Sequence, residues 1–208
     1  MGGDTTQGPL NIAITVIGDV PRGQALLRSG AQAGDDIYVS GTLGDARLAL
    51  EAFRGQLSLN EPVFASCRAR MEQPTPRVAL GMALRGIATA AADVSDGLLG
   101  DLGHILQQSR MGARLALDAC ESLLACRHDT NLPEHWRRTC VLAGGDDYEL
   151  VFTAPPERRD AVHAAAQYSQ TRVTCIGTVV VGHTVTLLDA QSQAVQATFS
   201  SFDHFSQD

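Results

Sequence analysis

The sequence contains no lysine, because all 16 of its basic residues are arginine. A Walker-type phosphate loop needs a lysine after its glycines, so this chain carries no such loop, and Schiff-base chemistry on a lysine is excluded as well. The formal net charge is −7. Since a nucleic-acid interface needs a concentrated basic face to neutralise phosphates, we expect no nucleic-acid partner.

Long apolar runs and paired cysteines are also missing. No segment approaches the roughly 18 uninterrupted apolar residues of a membrane span, and the N-terminus lacks the pattern of a secretory signal. The five cysteines include no Cys-x-x-Cys pair and the six histidines no His-x-x-x-His pair, which argues against a zinc site. We expect no membrane partner, a cytoplasmic location and cysteines that act as small core residues.

Hydrophobic residues make up 44% of the 208 residues, which is enough for a core. Stretches with strand periodicity alternate with stretches of helical periodicity, and this order predicts an α/β fold in which helices cover a layered sheet. The clearest predicted strands are 37–40, 113–117, 150–153, 173–181 and 185–188. The clearest predicted helices are 45–53, with Asp45 as its N-cap, 78–85, 100–108 and 157–167.

Three regions are predicted along the chain. Residues 1–20 contain a strand at Leu10–Gly18 that we interpret as a remnant of an N-terminal domain that binds ATP and metal. Residues 21–34, rich in glycine, form a linker with a short helix at Gln24–Ser29. Residues 35–208 form the C-terminal α/β domain.

The segment Asp93-Val94-Ser95-Asp96-Gly97-Leu98 is the most informative feature of the chain. It follows a small apolar run and precedes a helical pattern, so it places two carboxylates and a hydroxyl at a turn from strand to helix. Such a turn can hold a metal-bound phosphate through the carboxylates and the free N–H groups of the helix start. The alternative is a simple helix N-cap followed by a glycine turn.

Two more acidic segments follow glycine pairs. They are Gly2-Gly3-Asp4-Thr5-Thr6 and Gly144-Gly145-Asp146-Asp147-Tyr148-Glu149-Leu150. Three such segments in one chain predict a single site that is assembled from distant parts of the sequence.

Taken in their order along the chain, the three segments resemble the motifs of the thiamine-monophosphate kinase family. The closing Phe202-Asp203-His204-Phe205 resembles that family's C-terminal signature. The resemblance implies ATP-dependent phosphorylation of thiamine monophosphate to thiamine diphosphate, on the fold shared with aminoimidazole ribonucleotide synthetase. It implies Mg²⁺, a homodimer in the intact enzyme, and roughly a hundred further residues upstream. We therefore expect the chain to be a C-terminal fragment or a truncated gene product.

The resemblance also implies roles for individual residues. The metal ligands that it implies are Asp4, Asp93 and Asp96. The ATP contacts that it implies are Gly3, Asp4, Arg28 and Ser95. The alternatives are a turn aspartate for Asp4 and a solvated linker arginine for Arg28.

For the substrate, the resemblance implies contacts from Asp146 and Phe202. Asp146 stands where the family more often has glutamate, and its side chain reaches roughly 1.5 Å less far. Phe202 would stack on the thiamine rings, or alternatively anchor the C-terminus, as we expect for Phe205. Asp147 and Glu149 share one strand face by alternation, and we expect Glu149 at an exposed acidic edge.

Direct in-line phosphoryl transfer follows from this assignment, with metal clamping and positioning in place of a catalytic side chain. Two other functions stay open. One is a sibling ATP-dependent synthetase of the same fold, of the aminoimidazole ribonucleotide or selenophosphate type, or a hydrogenase-maturation dehydratase. The other is a non-catalytic fragment that binds thiamine phosphate.

Overall fold

The computed structural model describes residues 14–128 and 132–195. The strands are β1 (Asp36–Ser40), β2 (Ala90–Val94), β3 (Gly112–Ala116), β4 (Glu149–Ala154), β5 (Val173–Val180) and β6 (Val185–Leu188). The helices are α1 (Asp45–Phe53), α2 (Glu61–Glu72), α3 (Val78–Ala83), α4 (Leu98–Ser109), α5 (Leu117–Glu121), α6 (Glu134–Ala143) and α7 (Arg159–Tyr168), the last preceded by a 3₁₀ turn at Pro156–Arg158.

The six strands form one mixed sheet with the order β2-β4-β1-β5-β3-β6. Paired strands run antiparallel, except for β3 and β6, which are parallel. Strand β2 lies at one edge, and its Val94 is opposite Glu149 of β4. This register places the end of β2 beside the start of β4, and it therefore brings the segments around Asp93 and Asp146 together.

The two faces of the sheet pack against different helices, because neighbouring residues of a strand point to opposite sides. Ile37 and Val39 enter a large apolar cluster with buried residues of α1, α2, α4, α5 and α6. Tyr38 enters a smaller cluster with residues of α3 and α7, and its ring stacks on that of Phe152 with centroids 5.3 Å apart. The predicted α/β layered fold is confirmed.

The segment before β1 differs from its prediction. Residues 14–18 form no strand, and Ile14, Val16 and Ile17 are exposed, since no described strand lies beside them to share a hydrogen-bond ladder. Residues 24–29 are not helical. The chain instead runs along the edge strand β2, where the N–H of Ala91 donates to the carbonyl of Leu27 at 2.8 Å.

Within the described residues, none of the helices combines the length and the apolar character needed to cross a bilayer. The predicted linker at 21–34 and the division of the chain into regions stay predictions.

Candidate functional site

A buried carboxylate accepts hydrogen bonds from the backbone of the turn after β2. The N–H groups of Ser95 and Asp96 both donate to Oδ2 of Asp101, at 2.9 and 3.0 Å. Asp101 lies in the first turn of α4 and is 2% exposed. Burial raises the pKa of the Asp101 carboxyl, and the two N–H groups oppose that shift. Asp101 thus fixes the turn while the side chain of Asp93 stays 56% exposed.

The segment that precedes β4 docks onto this turn through its backbone. The N–H of Asp146 donates to the carbonyl of Ser95, and the N–H of Tyr148 to that of Val94, each at 2.9 Å. Both Asp146 and Tyr148 have positive φ, at 66° and 52°. Non-glycine residues in this conformation are concentrated at functional sites, where the surrounding structure compensates the strain. The two predicted acidic segments therefore lie against each other, as a single candidate site requires.

Two glycines permit this close approach. A Cβ on Gly145 would lie 2.4 Å from the carbonyl oxygen of Ser95, and a Cβ on Gly97 would lie 2.9 Å from the carbonyl carbon of Ala143. Gly97 also has a φ of 114°, which side chains disfavour. Any larger residue at either position would push the two segments apart.

We expect Gly145→Ala to lower the free energy of unfolding by roughly 1–3 kcal/mol, because the added methyl group overlaps a backbone atom that cannot rotate away. Urea unfolding followed by the fluorescence of Trp136 measures the change. The matched control is Gly103→Ala in α4, where a Cβ has no neighbour within 4 Å. That substitution should stabilise the helix by roughly 0.5–1 kcal/mol. Equal effects of the two substitutions would contradict the close approach.

Arg28 reaches the acidic turn from the linker. Its Nη2 atom lies 3.9 Å from Oδ1 of Asp93, and both side chains are about half exposed, at 54% and 56%. An exposed ion pair at this distance contributes little to stability, so either partner can exchange it for another ligand. The structure thus places Arg28 beside Asp93, and its contact with ATP stays a prediction.

The prediction that Glu149 forms an exposed acidic edge is wrong. Glu149 is fully buried, and its carboxylate accepts hydrogen bonds from Ser40, Arg70 and Arg77. Arg70 also donates to the carbonyl of Asp147 at 3.3 Å. The carboxylate is buried because two guanidinium groups from α2 and the start of α3 neutralise it. Glu149 therefore holds the acidic segment against the helices.

Asp147 is also buried, at 1% exposed, but it precedes β4, and the positive φ of Tyr148 interrupts the strand alternation that predicted a shared face with Glu149. Its Oδ2 atom accepts the N–H of Gly44 at 2.8 Å, while Oδ1 has no hydrogen-bond partner among the described residues. Burial raises the pKa of the Asp147 carboxyl well above its ordinary value, and the nearby Asp45 adds to the shift. Asp147 is therefore a structural residue that ties the turn before α1 to the acidic segment.

The raised pKa of Asp147 makes folding pH-dependent. The folded state keeps this proton at a pH where the unfolded chain has released it, so stability falls as the pH rises from the ordinary carboxyl pKa of 3.8 towards the raised value. Each pH unit within that window costs about 1.4 kcal/mol. Asp147→Asn mimics the protonated carboxyl and should remove this part of the pH dependence. Urea unfolding at several pH values compares the two proteins, and identical pH profiles would contradict the expectation.

A pocket of about 540 Å³ opens beside the acidic turn. Its lining residues are Pro74, Pro76, Arg77, Val78, Gly81, Asp93, Tyr148 and Leu150. Most of the wall is apolar, with Asp93 at one side and Arg77 at another. The phenol of Tyr148 donates to Oδ1 of Asp146 at 3.2 Å, so Tyr148 connects the pocket to the second acidic segment. The pocket has the volume and the mixed character of a small-molecule site.

The side chains at the turn fit a hard divalent cation. Asp93, Ser95 and Asp96 offer only oxygen donors, which Mg²⁺ prefers, and none of the three is buried. Mg²⁺ keeps several water ligands and uses one or two carboxylates together with substrate phosphates, so an accessible pair of aspartates suits it. These residues could therefore hold Mg²⁺ with a bound nucleotide.

Sequence reasoning found part of this site. It named Arg28, Asp93, Ser95, Asp96 and Asp146, which the structure brings to one end of the β2–β4 pair. It missed the support from Asp101 and gave Tyr148 no role. Gly3, Asp4 and Phe202 lie outside the described residues, so their assignments stay predictions.

The layered sheet, with the acidic turn at its edge, is the part of the chain that a known family matches. The chain belongs to the family described as AIR synthase related protein, C-terminal domain, which matches residues 32–189. The match covers β1 to β6 and includes the acidic turn after β2.

Particular relatives are thiamine-monophosphate kinases. The chain is 44% identical to the thiamine-monophosphate kinase of Salmonella typhimurium over 180 residues, which are 85% of this chain and 54% of that protein. The crystal structure of thiamine-monophosphate kinase from Stenotrophomonas maltophilia K279a superposes with a TM-score of 0.74 at 43% identity, over 85% of this chain and 56% of that one. The chain thus spans little more than half the length of these relatives.

Two further structures bear on the alternatives. AaThiL complexed with AMPPCP and TMP matches with a TM-score of 0.65 at 29% identity, over 86% of this chain and 54% of that one. E. coli HypE, a hydrogenase maturation protein, matches with a TM-score of 0.66 but at only 20% identity, over 88% of this chain and 55% of that one. The HypE likeness shows the fold alone.

Proposed function

We propose that this chain acts in the ATP-dependent phosphorylation of thiamine monophosphate to thiamine diphosphate. The observation that supports this most directly is the docking of the Asp146 segment onto the turn of Asp93, Ser95 and Asp96, at the mouth of an apolar pocket. The similarity to thiamine-monophosphate kinases, and to a structure in complex with AMPPCP and TMP, supports the same reaction.

The acidic turn is the phosphate end of the proposed site. Asp93 and Asp96 hold Mg²⁺, and Ser95 contacts ATP. When bound, Mg²⁺ neutralises the charge of the phosphate groups that must approach each other. Arg28 supplies the cation that lysine provides elsewhere, and its planar group suits two phosphate oxygens. Its weak pair with Asp93 can be exchanged when nucleotide and metal arrive, since both side chains are half exposed.

The apolar pocket is the thiamine end of the proposed site. Its walls at Val78, Gly81 and Leu150 exclude water from the rings, and Tyr148 offers an aromatic face to a cationic thiazolium. Asp146 supplies a negative charge to the same cation or to the aminopyrimidine. Tyr148 lines the pocket and donates to Asp146, so this hydrogen bond links the shorter carboxylate to the pocket wall. Phe202 completes the substrate contacts in this proposal.

No side chain needs to act as a strong base. A phosphate monoester dianion is already a nucleophile, so the work of the protein is to align it with the γ-phosphoryl group and to screen the repulsion. Asp101 and Glu149 act as positioning residues, the first by fixing the N–H groups of the turn and the second by fixing the start of β4. We further propose a cytoplasmic homodimer for the complete enzyme, in which Gly3 and Asp4 contribute to ATP and metal binding.

The test is formation of thiamine diphosphate from thiamine monophosphate and Mg-ATP. Two forms are compared: this chain, and a chimera in which the N-terminal part of the Stenotrophomonas relative precedes it, which supplies the region that this chain does not cover. We expect turnover by the chimera. The full-length Stenotrophomonas relative is the positive control.

Failure of the chimera, while the relative turns over and the chimera folds cooperatively, would overturn the proposal. Formation of aminoimidazole ribonucleotide or selenophosphate from the matching precursors, in place of thiamine diphosphate, would support a sibling synthetase. Binding of thiamine monophosphate without turnover by either form would favour a non-catalytic module.

A further inference from the structure

Three potential metal ligands from distant parts of the chain meet at α2. They are Asp45 at the start of α1, Cys67 in α2, and Cys126 in the loop after α5. A carboxylate oxygen and the two Sγ atoms all lie within 4.8 Å of one another. Asp45 and Cys67 are buried, and Cys126 is half-buried. The sequence pattern gave no sign of this cluster, because its members are 22 and 59 positions apart along the chain.

The donors match one kind of ion. Zinc binds thiolate at about 2.3 Å and carboxylate at about 2.0–2.2 Å in a tetrahedron, which puts two sulfur ligands roughly 3.8 Å apart. The observed separations therefore need only small side-chain rotations to close around the ion. Soft thiolates select zinc over Mg²⁺, so this cluster and the acidic turn would bind different metals.

A cavity provides access and a fourth position. It has a volume of about 210 Å³ and is lined by Pro62, Val63, Ser66, Cys67, Ala125 and Cys126. Both sulfur-bearing residues border this space, and Ser66 lies at its exposed side. An ion could enter there, and a water molecule or the Ser66 hydroxyl could complete the tetrahedron.

Neighbouring groups hold the carboxylate in place. Thr42 Oγ1 donates to Oδ2 of Asp45 at 2.6 Å, and the N–H of Ala125 donates to Oδ1 at 3.2 Å. The second bond also fixes the loop that carries Cys126. Such outer contacts orient metal ligands in known sites, and each carboxylate oxygen keeps a lone pair for an ion.

The charges of the cluster also suit a cation. Asp45 appears in none of the ion pairs of the described residues, although it is 1% exposed. A bound divalent cation would displace the two thiol protons and balance two of the three resulting negative charges.

We propose that Asp45, Cys67 and Cys126 form a zinc-binding site that clamps α1, α2 and the loop after α5 together. The proposal is independent of the proposed kinase activity. It assigns a role to two cysteines that the sequence suggested were only core residues.

Titration of the fully reduced chain with Co²⁺ tests the site. Cobalt bound to thiolate gives a charge-transfer absorption that carboxylate sites such as Asp93 and Asp96 do not produce. We expect this band to saturate at one equivalent and to disappear when Zn²⁺ is added. Cys67→Ser and Cys126→Ser should each abolish it, whereas Cys175→Ser, at an exposed position on β5, should leave it unchanged. A band that persists in Cys126→Ser, or no band in the reduced wild-type chain, would overturn the proposal.

A second measurement needs no core substitution. Alkylation of the native chain, mapped by mass spectrometry, gives the reaction rate of each cysteine with and without Zn²⁺. We expect Zn²⁺ to slow alkylation of the half-buried Cys126 at least tenfold, and a chelator to restore it. Cys175 serves as the internal control, since its rate should not change. An unaltered rate at Cys126 under saturating Zn²⁺ would overturn the site.

Discussion

Replacing Asp93 with asparagine is expected to lower kcat/KM for thiamine monophosphate about 100- to 1000-fold, in the form of the protein that turns over. Asparagine keeps the shape of the side chain but removes the negative charge that would bind Mg²⁺ in the proposed site. A loss of this size is typical when one fixed electrostatic group of a reaction site is removed. Thiamine diphosphate formation measured over a range of Mg²⁺ concentrations should also show that Asp93→Asn needs more Mg²⁺ than the wild type.

The fold should survive this substitution, which separates a metal role from a structural one. Asp93 is 56% exposed, and its ion pair with Arg28 is 3.9 Å long, so we expect the free energy of unfolding to change by less than about 0.5 kcal/mol. The matched control is Asp160→Asn, an exposed aspartate of α7 outside the site, which should leave turnover unchanged. Turnover of Asp93→Asn within threefold of the wild type would contradict the role as metal ligand.

Periodicity predicted the regular parts of the fold well. Helix α1 has the predicted bounds because Leu48 and Ala49 fall on one buried face. The N-cap, however, is Gly44, and the carboxylate of Asp45 contacts Thr42 and Ala125 instead. A glycine in the left-handed conformation occupies the cap position, so the prediction that Asp45 is the N-cap was wrong.

Local patterns gave one helix that does not form, at 24–29, and missed one that does, α2. A helix at 24–29 has too few residues to offset the cost of nucleation, and the Leu27 carbonyl pairs with β2 instead. Helix α2 was missed because only Cys67 among its residues is buried, so its apolar pattern is weak. A signal was available: Asn60 caps the helix through Val63, and Pro62 occupies its first turn.

The site could be predicted as a set of motifs but not as a geometry. Asp93 and Asp146 lie in motifs whose order along the chain indicated one site, and the β2–β4 register brings them together. The support from Asp101 and the burial of Glu149 were not predictable, because alternation says which residues share a face and not which face is covered. That depends on Arg70 and Arg77, which lie more than 70 positions earlier.

The burial of Glu149 leads to the largest expected effect on stability. Its carboxylate accepts from Ser40 Oγ at 2.6 Å, from Arg70 Nη2 at 2.7 Å, and from Nε and Nη2 of Arg77 at 2.6 and 2.5 Å. A Cβ on Gly41 would lie 2.1 Å from Oε1, so the chain leaves no room for another residue there. The arginine side chains are only 22% and 17% exposed, and water cannot replace the carboxylate easily.

We expect Glu149→Gln to lower the free energy of unfolding by about 3–5 kcal/mol, because it leaves two largely buried guanidinium groups without a counter-charge. Urea unfolding followed by the fluorescence of Trp136, the single tryptophan, measures it. The matched control is Glu72→Gln, whose exposed pair with Arg68 has the same N···O distance of 2.7 Å as the pair between Arg70 and Glu149. That substitution should cost about 0.5 kcal/mol or less.

A compensating variant distinguishes lost charge balance from lost packing. Replacing Glu149 with leucine and both Arg70 and Arg77 with methionine removes every charge of the cluster at similar volume, and such replacements are often neutral or stabilising. This triple variant should recover most of the stability that Glu149→Gln loses. It should not recover the proposed kinase activity, because Arg70 no longer holds the Asp147 carbonyl and Arg77 no longer lines the pocket. A Glu149→Gln protein within 1 kcal/mol of the wild type would contradict the cluster's role, since stability and the position of the acidic segment depend on the same carboxylate.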